Sequence, residues 1–257
     1  MRVIMTLELL SPKVDFVFKA IFGKEHNKPI LLSLLNAVLG RDQTDQIIEI
    51  EILNTELGKN MKLGKGAILD LKVRDKLGQL YDIEIQCENE SAFVERIIYY
   101  WSRIYGDQLE KGHDYYKLHP VISIVFTNFT LFSEIDRYHT LWGWRELESG
   151  EKLSDAAQIH FIELPKYKGS IQKTNNPLEK WISFLKEGNL MSRELIEKFD
   201  DPSLLQAYDE LERLSIEPDM RYYYESYLKS FNDRVNKLYN AERKGLAKGR
   251  EEGREEG

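Results

Sequence analysis

The chain has 257 residues, a formal net charge of −7, 42% hydrophobic residues and a single cysteine. This composition suits one large folded domain, or one domain with an appendage, and it excludes a disordered chain and a disulfide framework within the chain. The negative charge excludes a general attraction to nucleic acid or to acidic membranes, so a nucleic-acid site requires local positive charge and a divalent cation.

The N-terminal segment does not have the pattern of a secretory signal, because its apolar run is short and is soon followed by Asp15. No stretch approaches the roughly 20 apolar residues of a membrane span. Together with the lone Cys87, these features lead us to expect a soluble protein in a reducing, cytoplasmic setting.

Two helices are expected near the N terminus. Ser11, as an N-cap followed by proline, predicts a helix over residues 13–22. Pro29 begins a second, amphipathic helix, for which Gly40 provides the stop.

Three strands follow these helices. Residues 46–53, 67–74 and 79–88 each alternate between apolar and polar side chains, which is typical of strands. The turn DKLG, in which Gly78 can adopt a left-handed conformation, makes the second and third strands an antiparallel hairpin. Between the first two strands lies a loop rich in glycine and lysine, residues 57–66.

The rest of the chain mixes helices and strands. A long helix is predicted over about 91–111, a buried strand over 119–129, and two further strands over 139–146 and 158–164. After Pro177 the pattern is helical to the end. An antiparallel sheet, a helix and further strands predict an α/β or α+β core with a helical C-terminal extension.

The third strand carries an unusual row of oxygen-bearing side chains. Its sequence YDIEIQCENE places an acid or amide at every second position, with apolar residues between them. If residues 76–78 form a three-residue hairpin loop, Lys72 lies opposite Asp82, and Asp70 lies opposite Glu84. Two opposed carboxylates repel each other, and a divalent cation such as Mg²⁺ removes that cost.

This interpretation has an alternative. Alternating acids also mark a solvated sheet face that binds nothing, and a one-residue slip in register sends Asp70 to the other face. In the metal-site interpretation, Asp70, Glu84 and the carbonyl of Ile85 hold the cation. Gln86 lies on the same face and orients a water molecule.

The chain resembles the Rpn family of recombination-promoting nucleases, also called PD-(D/E)XK nuclease family transposases. The resemblance rests on Asp70 followed by Glu84-Ile85-Gln86 after a hairpin, and on three longer stretches. These are SPKVDFVFKAIFG at 11–23, ILDLKVRDKLGQLYDIEIQ at 68–86 and RIIYYWSRIYGDQLEKGHDY at 96–115. The apolar strand PVISIVF at 120–126 and the tail rich in Gly, Lys and Glu also fit.

The resemblance implies a restriction-endonuclease-like core with a central mixed sheet flanked by helices. It also implies metal-dependent phosphodiester hydrolysis, with Asp70 and Glu84 as the metal-binding acids and Mg²⁺, or alternatively Mn²⁺, as the cofactor. Gln86 stands where the superfamily usually has lysine, which removes a positive charge beside the attacking water. Leu69 precedes Asp70, so the literal Pro-Asp pair is absent as well.

Further residues are candidates for the site or for DNA contact. Asp15 or Lys19 of the first helix is placed to complete the site, with a solvated helix surface as the alternative. The other candidate DNA contacts are lysines of the basic loop and one face of the long helix, where the alternatives are a solvated loop and ordinary aromatic packing. They are Lys59, Lys62, Lys65, Arg96, Tyr100 and Arg103.

We therefore expect a Mg²⁺-dependent DNA endonuclease that serves DNA recombination or mobile-element processing. The alternative is a catalytically weak DNA-binding or assembly protein that keeps the nuclease fold. The expected organisation is a nuclease-like core over 1–170, a helical region over 171–240 and a low-complexity tail over 241–257. The tail repeats glycine every four residues, which suits close helix pairing and a homo-oligomer, or else a solvated charged tail.

Overall fold

A computed structural model describes residues 8–53, 71–110, 112 and 114–255 of the protein. Its centre is a mixed six-stranded sheet in the order β1-β2-β3-β4-β6-β5. The strands are β1 (Ile50–Ile52), β2 (Leu71–Asp75), β3 (Leu80–Gln86), β4 (Val121–Thr127), β5 (His139–Arg145) and β6 (Lys152–Glu163). The central strands β3, β4 and β6 run parallel, whereas the outer pairs are antiparallel.

Helices cover both faces of this sheet and make up the C-terminal third. They are α1 (Asp15–Phe22), α2 (Lys28–Leu39), α3 (Phe93–Gly106), α4 (Pro177–Glu187), α5 (Arg193–Glu197), α6 (Pro202–Ile216) and α7 (Pro218–Glu255). The predicted α/β class with a helical C-terminal extension is therefore confirmed. No helix in the described ranges combines the length and the apolar character needed to cross a bilayer.

The β2–β3 hairpin has the predicted register. Asp75 donates its N–H to the carbonyl of Gln79 at 3.0 Å, and Lys72 lies opposite Asp82. Gly78 has a φ of 84°, and a Cβ at this position would lie 2.5 Å from the ring of His119. The turn therefore requires glycine for its backbone conformation, whereas the exposed His119 ring can move aside.

Alternation along β3 divides its side chains between two helical layers. Ile83 and Ile85 face the main core, which the sheet shares with α1, α2, α4 and α6. Leu80 faces the other layer, where it packs with Trp101 of α3. Because side chains alternate in a strand, Glu84 and Gln86 also lie on the α3 face.

The main core does not stop at the predicted domain boundary. Buried Trp181 of α4 contacts Phe22 of α1, with ring centroids 5.6 Å apart, and Leu211 of α6 belongs to the same cluster. The helical region therefore shares one hydrophobic core with the N-terminal helices, and the division at residue 170 stays a proposal.

Several predicted boundaries differ from the structure. Helix α1 begins at Asp15, after a turn in which the carbonyl of Ser11 accepts from Val14, so Ser11 is not its N-cap. Helix α3 spans 93–106, which is shorter than predicted, and β6 begins at Lys152 because its pairing with β5 continues past a bulge.

Candidate active site at the end of strand β3

Glu84 and Gln86 lie side by side near the C-terminal end of β3. Period-two alternation puts both on the α3 face, whereas their neighbours Ile83 and Ile85 are buried in the main core. The Glu84 side chain is 18% exposed, so its carboxylate is largely withdrawn from water. A carboxylate in this position requires a cationic partner.

Arg96 in the first turns of α3 is such a partner. Its Nη2 donates to Glu84 Oε1 at 2.7 Å and to Gln86 Oε1 at 3.3 Å. Its Nη1 donates to Glu90 Oε2 at 2.7 Å, and its Cζ lies 5.0 Å from the centre of the Phe93 ring. One guanidinium therefore joins both side chains of the predicted motif to the start of α3.

A short connection brings Arg96 back to the strand. Only six residues separate Gln86 from Phe93, the first residue of α3, and the connection ends at Ala92 with a φ of 60°. A left-handed alanine is unfavourable by about 1 kcal/mol or more, so this turn is stable only because its surroundings fix it. The first turns of α3 consequently lie against the end of β3.

Gln86 is held at both ends. Its side-chain Nε2 donates to the carbonyl of Glu88 at 3.1 Å, and its backbone carbonyl accepts from Asn128 at 2.9 Å. The side-chain oxygen consequently faces Arg96. An amide held in this way has a fixed orientation, which is what a water-orienting group requires.

The predicted metal ligands lie only partly in the described ranges. Asp70 lies outside them, as do Lys59, Lys62 and Lys65 of the basic loop. The described register, with Leu71 opposite Ile83 and Lys72 opposite Asp82, is the one that the prediction for Asp70 assumes. Within the described ranges, no three His, Cys, Asp or Glu side chains come together as a metal site.

The oxygen atoms of Glu84 and Ile85 nevertheless suit a hard divalent cation. The backbone N–H of Leu80 donates to the carbonyl of Pro120, and the carbonyl of Gln86 accepts from the backbone N–H of Asn128. The even-numbered residues of β3 therefore form their backbone hydrogen bonds with β4. The carbonyl of Ile85 therefore points to the β2 side. A carboxylate and a backbone carbonyl are oxygen ligands of the kind that Mg²⁺ prefers.

Asp15 belongs to a different group of residues from Glu84. Burial raises the pKa of the Asp15 carboxyl, and the hydrogen bond from the Phe16 N–H opposes this rise. The negative charge of Glu88 raises the same pKa, and the positive charge of Arg234 lowers it. Asp15 thus lies near the end of β3 beside α7. Its role as an additional acid of the site stays a prediction.

Lys19 is buried in α1, with 5% of its surface exposed. Its Cγ and the Leu71 Cδ1 both lie 3.3 Å from the position that a Cβ on Gly23 would occupy. The side chain therefore runs beside the start of the described part of β2. This burial does not support the predicted contact between Lys19 and a DNA backbone.

Tyr100 and Arg103 continue the face of α3 that begins with Arg96. Tyr100 is half-buried, and Arg103 is exposed and pairs with Asp107 at 3.5 Å. The sequence pattern did not identify Glu90 as a partner of Arg96. The available signal was the position of Glu90 just before a helix with arginine in its first turns.

Comparison with known proteins agrees with this geometry. A model of the PD-(D/E)XK nuclease family transposases matches residues 12–241, which is most of the chain. No curated protein and no solved structure matches it. The matched range includes the whole sheet, the Glu84-Ile85-Gln86 motif and most of α7. The chain belongs to the PD-(D/E)XK nuclease family transposases.

Proposed function

We propose that the protein is a metal-dependent DNA endonuclease that hydrolyses phosphodiester bonds and promotes DNA recombination or mobile-element processing. Family membership gives a nuclease-related function. The observation that carries the finer proposal is the grouping of Glu84, Gln86 and Arg96 at the end of β3. It places an acid, a water-orienting amide and a cation within hydrogen-bond reach of one another, a combination that can act on a phosphodiester.

Asp70, Glu84 and the carbonyl of Ile85 would hold Mg²⁺, or Mn²⁺ in its place. A bound divalent cation supplies a Lewis acid to the phosphoryl oxygen and favours deprotonation of a water molecule. Glu84 lies in a partly buried position, where its charge acts more strongly than in bulk water. The cation would relieve the repulsion between the two carboxylates.

Gln86 would orient the attacking water through its fixed side-chain oxygen. The DNA backbone would contact the basic loop at Lys59, Lys62 and Lys65, and α3 at Tyr100 and Arg103. The chain as a whole is negatively charged, so these local contacts and the cation must provide the attraction to phosphate.

Plasmid cleavage tests this proposal. With Mg²⁺ present, wild-type protein is expected to nick or linearise supercoiled plasmid. Asp70→Ala is expected to lower the rate by about 10²-fold or more, since loss of one group that stabilises developing charge costs that much. Exposed Asp155→Ala on β6, whose carboxylate pairs with Lys152 beyond the opposite end of β3, is the matched control and should cleave normally. Equal cleavage by wild type and Asp70→Ala contradicts the proposal.

A second candidate function is DNA binding or assembly without cleavage. It is favoured by Gln86, which is neutral where the superfamily usually has lysine, and by the ion pair that already joins Glu84 to Arg96 at 2.7 Å. Retention of DNA with no metal-dependent cleavage in the plasmid assay is the outcome that supports it. A cytoplasmic location and a homo-oligomer formed through the C-terminal helices also stay proposals.

A further inference from the structure

The candidate site needs a positive charge that its motif does not contain. A phosphodiester is an anion, and its charge is redistributed onto the attacking and leaving oxygens as it is hydrolysed. Glu84 adds further negative charge, and Gln86 is neutral. Hydrolysis at this position therefore depends on a cation supplied by another element.

Arg96 contacts both motif side chains. Its Nη2 lies 2.7 Å from Glu84 Oε1 and 3.3 Å from Gln86 Oε1. The guanidinium therefore occupies the space that a longer, cationic side chain at position 86 would reach. Arginine suits phosphate because its planar fork presents several N–H groups to two oxygens at once.

Two contacts hold Arg96 independently of Glu84. Glu90 accepts from Nη1 at 2.7 Å, and the Phe93 ring lies 5.0 Å from Cζ. If Glu84 turns to a divalent cation, Arg96 keeps both of these contacts while its Nη2 becomes available to a phosphate oxygen. Its Nε is buried and has no hydrogen-bond acceptor among the described residues, so the guanidinium has donor capacity that the present arrangement does not use.

We propose that Arg96 supplies the positive charge at the scissile phosphate in place of a cation at position 86, and that Glu90 positions it. This inference rests on the proposed endonuclease function and specifies how its site works. The water oxygen bonds to phosphorus, the bond to the leaving oxygen breaks, the water gives up a proton to solvent, and the leaving oxygen takes one from solvent. Arg96 stays protonated throughout and moves no proton.

Moving the positive charge from position 96 to position 86 tests the proposal. Arg96→Gln should lower kcat by about 10²-fold, as expected for loss of one group that stabilises developing charge, and should raise KM less. Adding Gln86→Lys to this variant should restore at least a tenth of the wild-type kcat, because the new ammonium lies where the guanidinium was. A purely structural role for Arg96 would not be rescued in this way.

Two further variants sharpen the test. Glu90→Gln should lower kcat by roughly tenfold, because a misplaced group loses rate without being removed. Arg41→Gln is the matched control, since Arg41 is as exposed as Arg96 (28% against 29%) and pairs with Asp45 away from the site. It should cleave like the wild type. Thermal unfolding of each variant checks that it is folded.

Each outcome separates the two hypotheses. If the wild type cleaves, two results refute the role of Arg96 and leave the endonuclease function standing. One is equal cleavage by Arg96→Gln, and the other is a folded but inactive Arg96→Gln that Gln86→Lys does not rescue. If the wild type does not cleave, duplex binding with Ca²⁺ decides about Arg96. Affinity lost in Arg96→Gln and regained with Gln86→Lys supports the phosphate contact, and unchanged affinity overturns it.

Discussion

His139 and His160 form a hydrogen-bonded pair between the edge strand β5 and its neighbour β6. His139 Nε2 and His160 Nδ1 are 2.9 Å apart, and His160 is only 4% exposed. Burial, together with a smaller effect of the neighbouring His139, lowers the pKa of His160 to about 4. Burial also lowers the pKa of His139. Both rings are therefore neutral in the folded protein near pH 7.

This pair predicts a loss of stability in mild acid. A histidine whose pKa is lower in the folded than in the unfolded protein, where it is about 6.5, gives its full contribution to stability above pH 6.5. That contribution is lost as the pH falls toward 4. One pKa unit of difference between the folded and unfolded states corresponds to about 1.4 kcal/mol. When the pH falls from 7 to 5, the unfolding free energy of the wild type should therefore decrease by about 2 kcal/mol more than that of His160→Gln. Urea unfolding at the two pH values measures the difference.

The exposed His26 provides the control for this prediction. His26→Gln should show the same pH dependence as wild type, because this substitution leaves the His139–His160 pair intact. An identical pH dependence for His160→Gln and wild type would show that the buried pair does not control acid stability.

At the scale of elements, α7 has two parts with different surroundings. In its first half, the Tyr224 hydroxyl accepts from Ser11 N at 3.2 Å, and the Tyr227 ring lies 6.0 Å from that of Phe16. Farther along, Arg234 pairs with Glu88, two residues after Gln86. The side chains of that pair are 47% and 31% exposed, so the pair contributes about 0–1 kcal/mol and the tyrosines provide most of the docking energy.

Truncation should separate these two parts of α7. A chain ending at Glu217 loses both partly buried tyrosines, and its Tm should fall by roughly 10 °C or more, since their combined loss is comparable to removing one buried aromatic side chain at about 3–5 kcal/mol. A chain ending at Asn240 keeps them, and its Tm should stay within about 2 °C of wild type. Light scattering of the second chain tests the proposed oligomer, which predicts a smaller mass than that of the full chain. An unchanged mass removes the assembly role from the distal part of α7.

At the scale of the whole molecule, local patterns predicted the faces of the elements but not their arrangement. The period-two row in YDIEIQ and the glycine turn before it gave the register of the β2–β3 hairpin, because both signals lie within one short segment. The strand order, with β6 between β4 and β5, depends on long-range packing that has no local signature.

The candidate site shows the same division. Glu84 and Gln86 were predictable because strand alternation puts them on one face, and Arg96 because helical spacing gives it a face with Tyr100. The Glu90–Arg96 pair depends on the tight connection at Ala92, whose left-handed backbone the sequence does not announce. The grouping of Asp15 with α7 depends on a helix more than 200 residues away in the chain.

A crystal of the protein soaked in Mn²⁺ gives the most direct test that Asp70 and Glu84 share a divalent cation. The account predicts an anomalous difference peak within coordination distance of Asp70, Glu84 and the carbonyl of Ile85, with Arg96 still bound to Glu90. Glu84→Gln, soaked in the same way, should show a much weaker peak. A wild-type crystal at saturating Mn²⁺ with no peak at this position, and with Glu84 still paired to Arg96, would contradict the account.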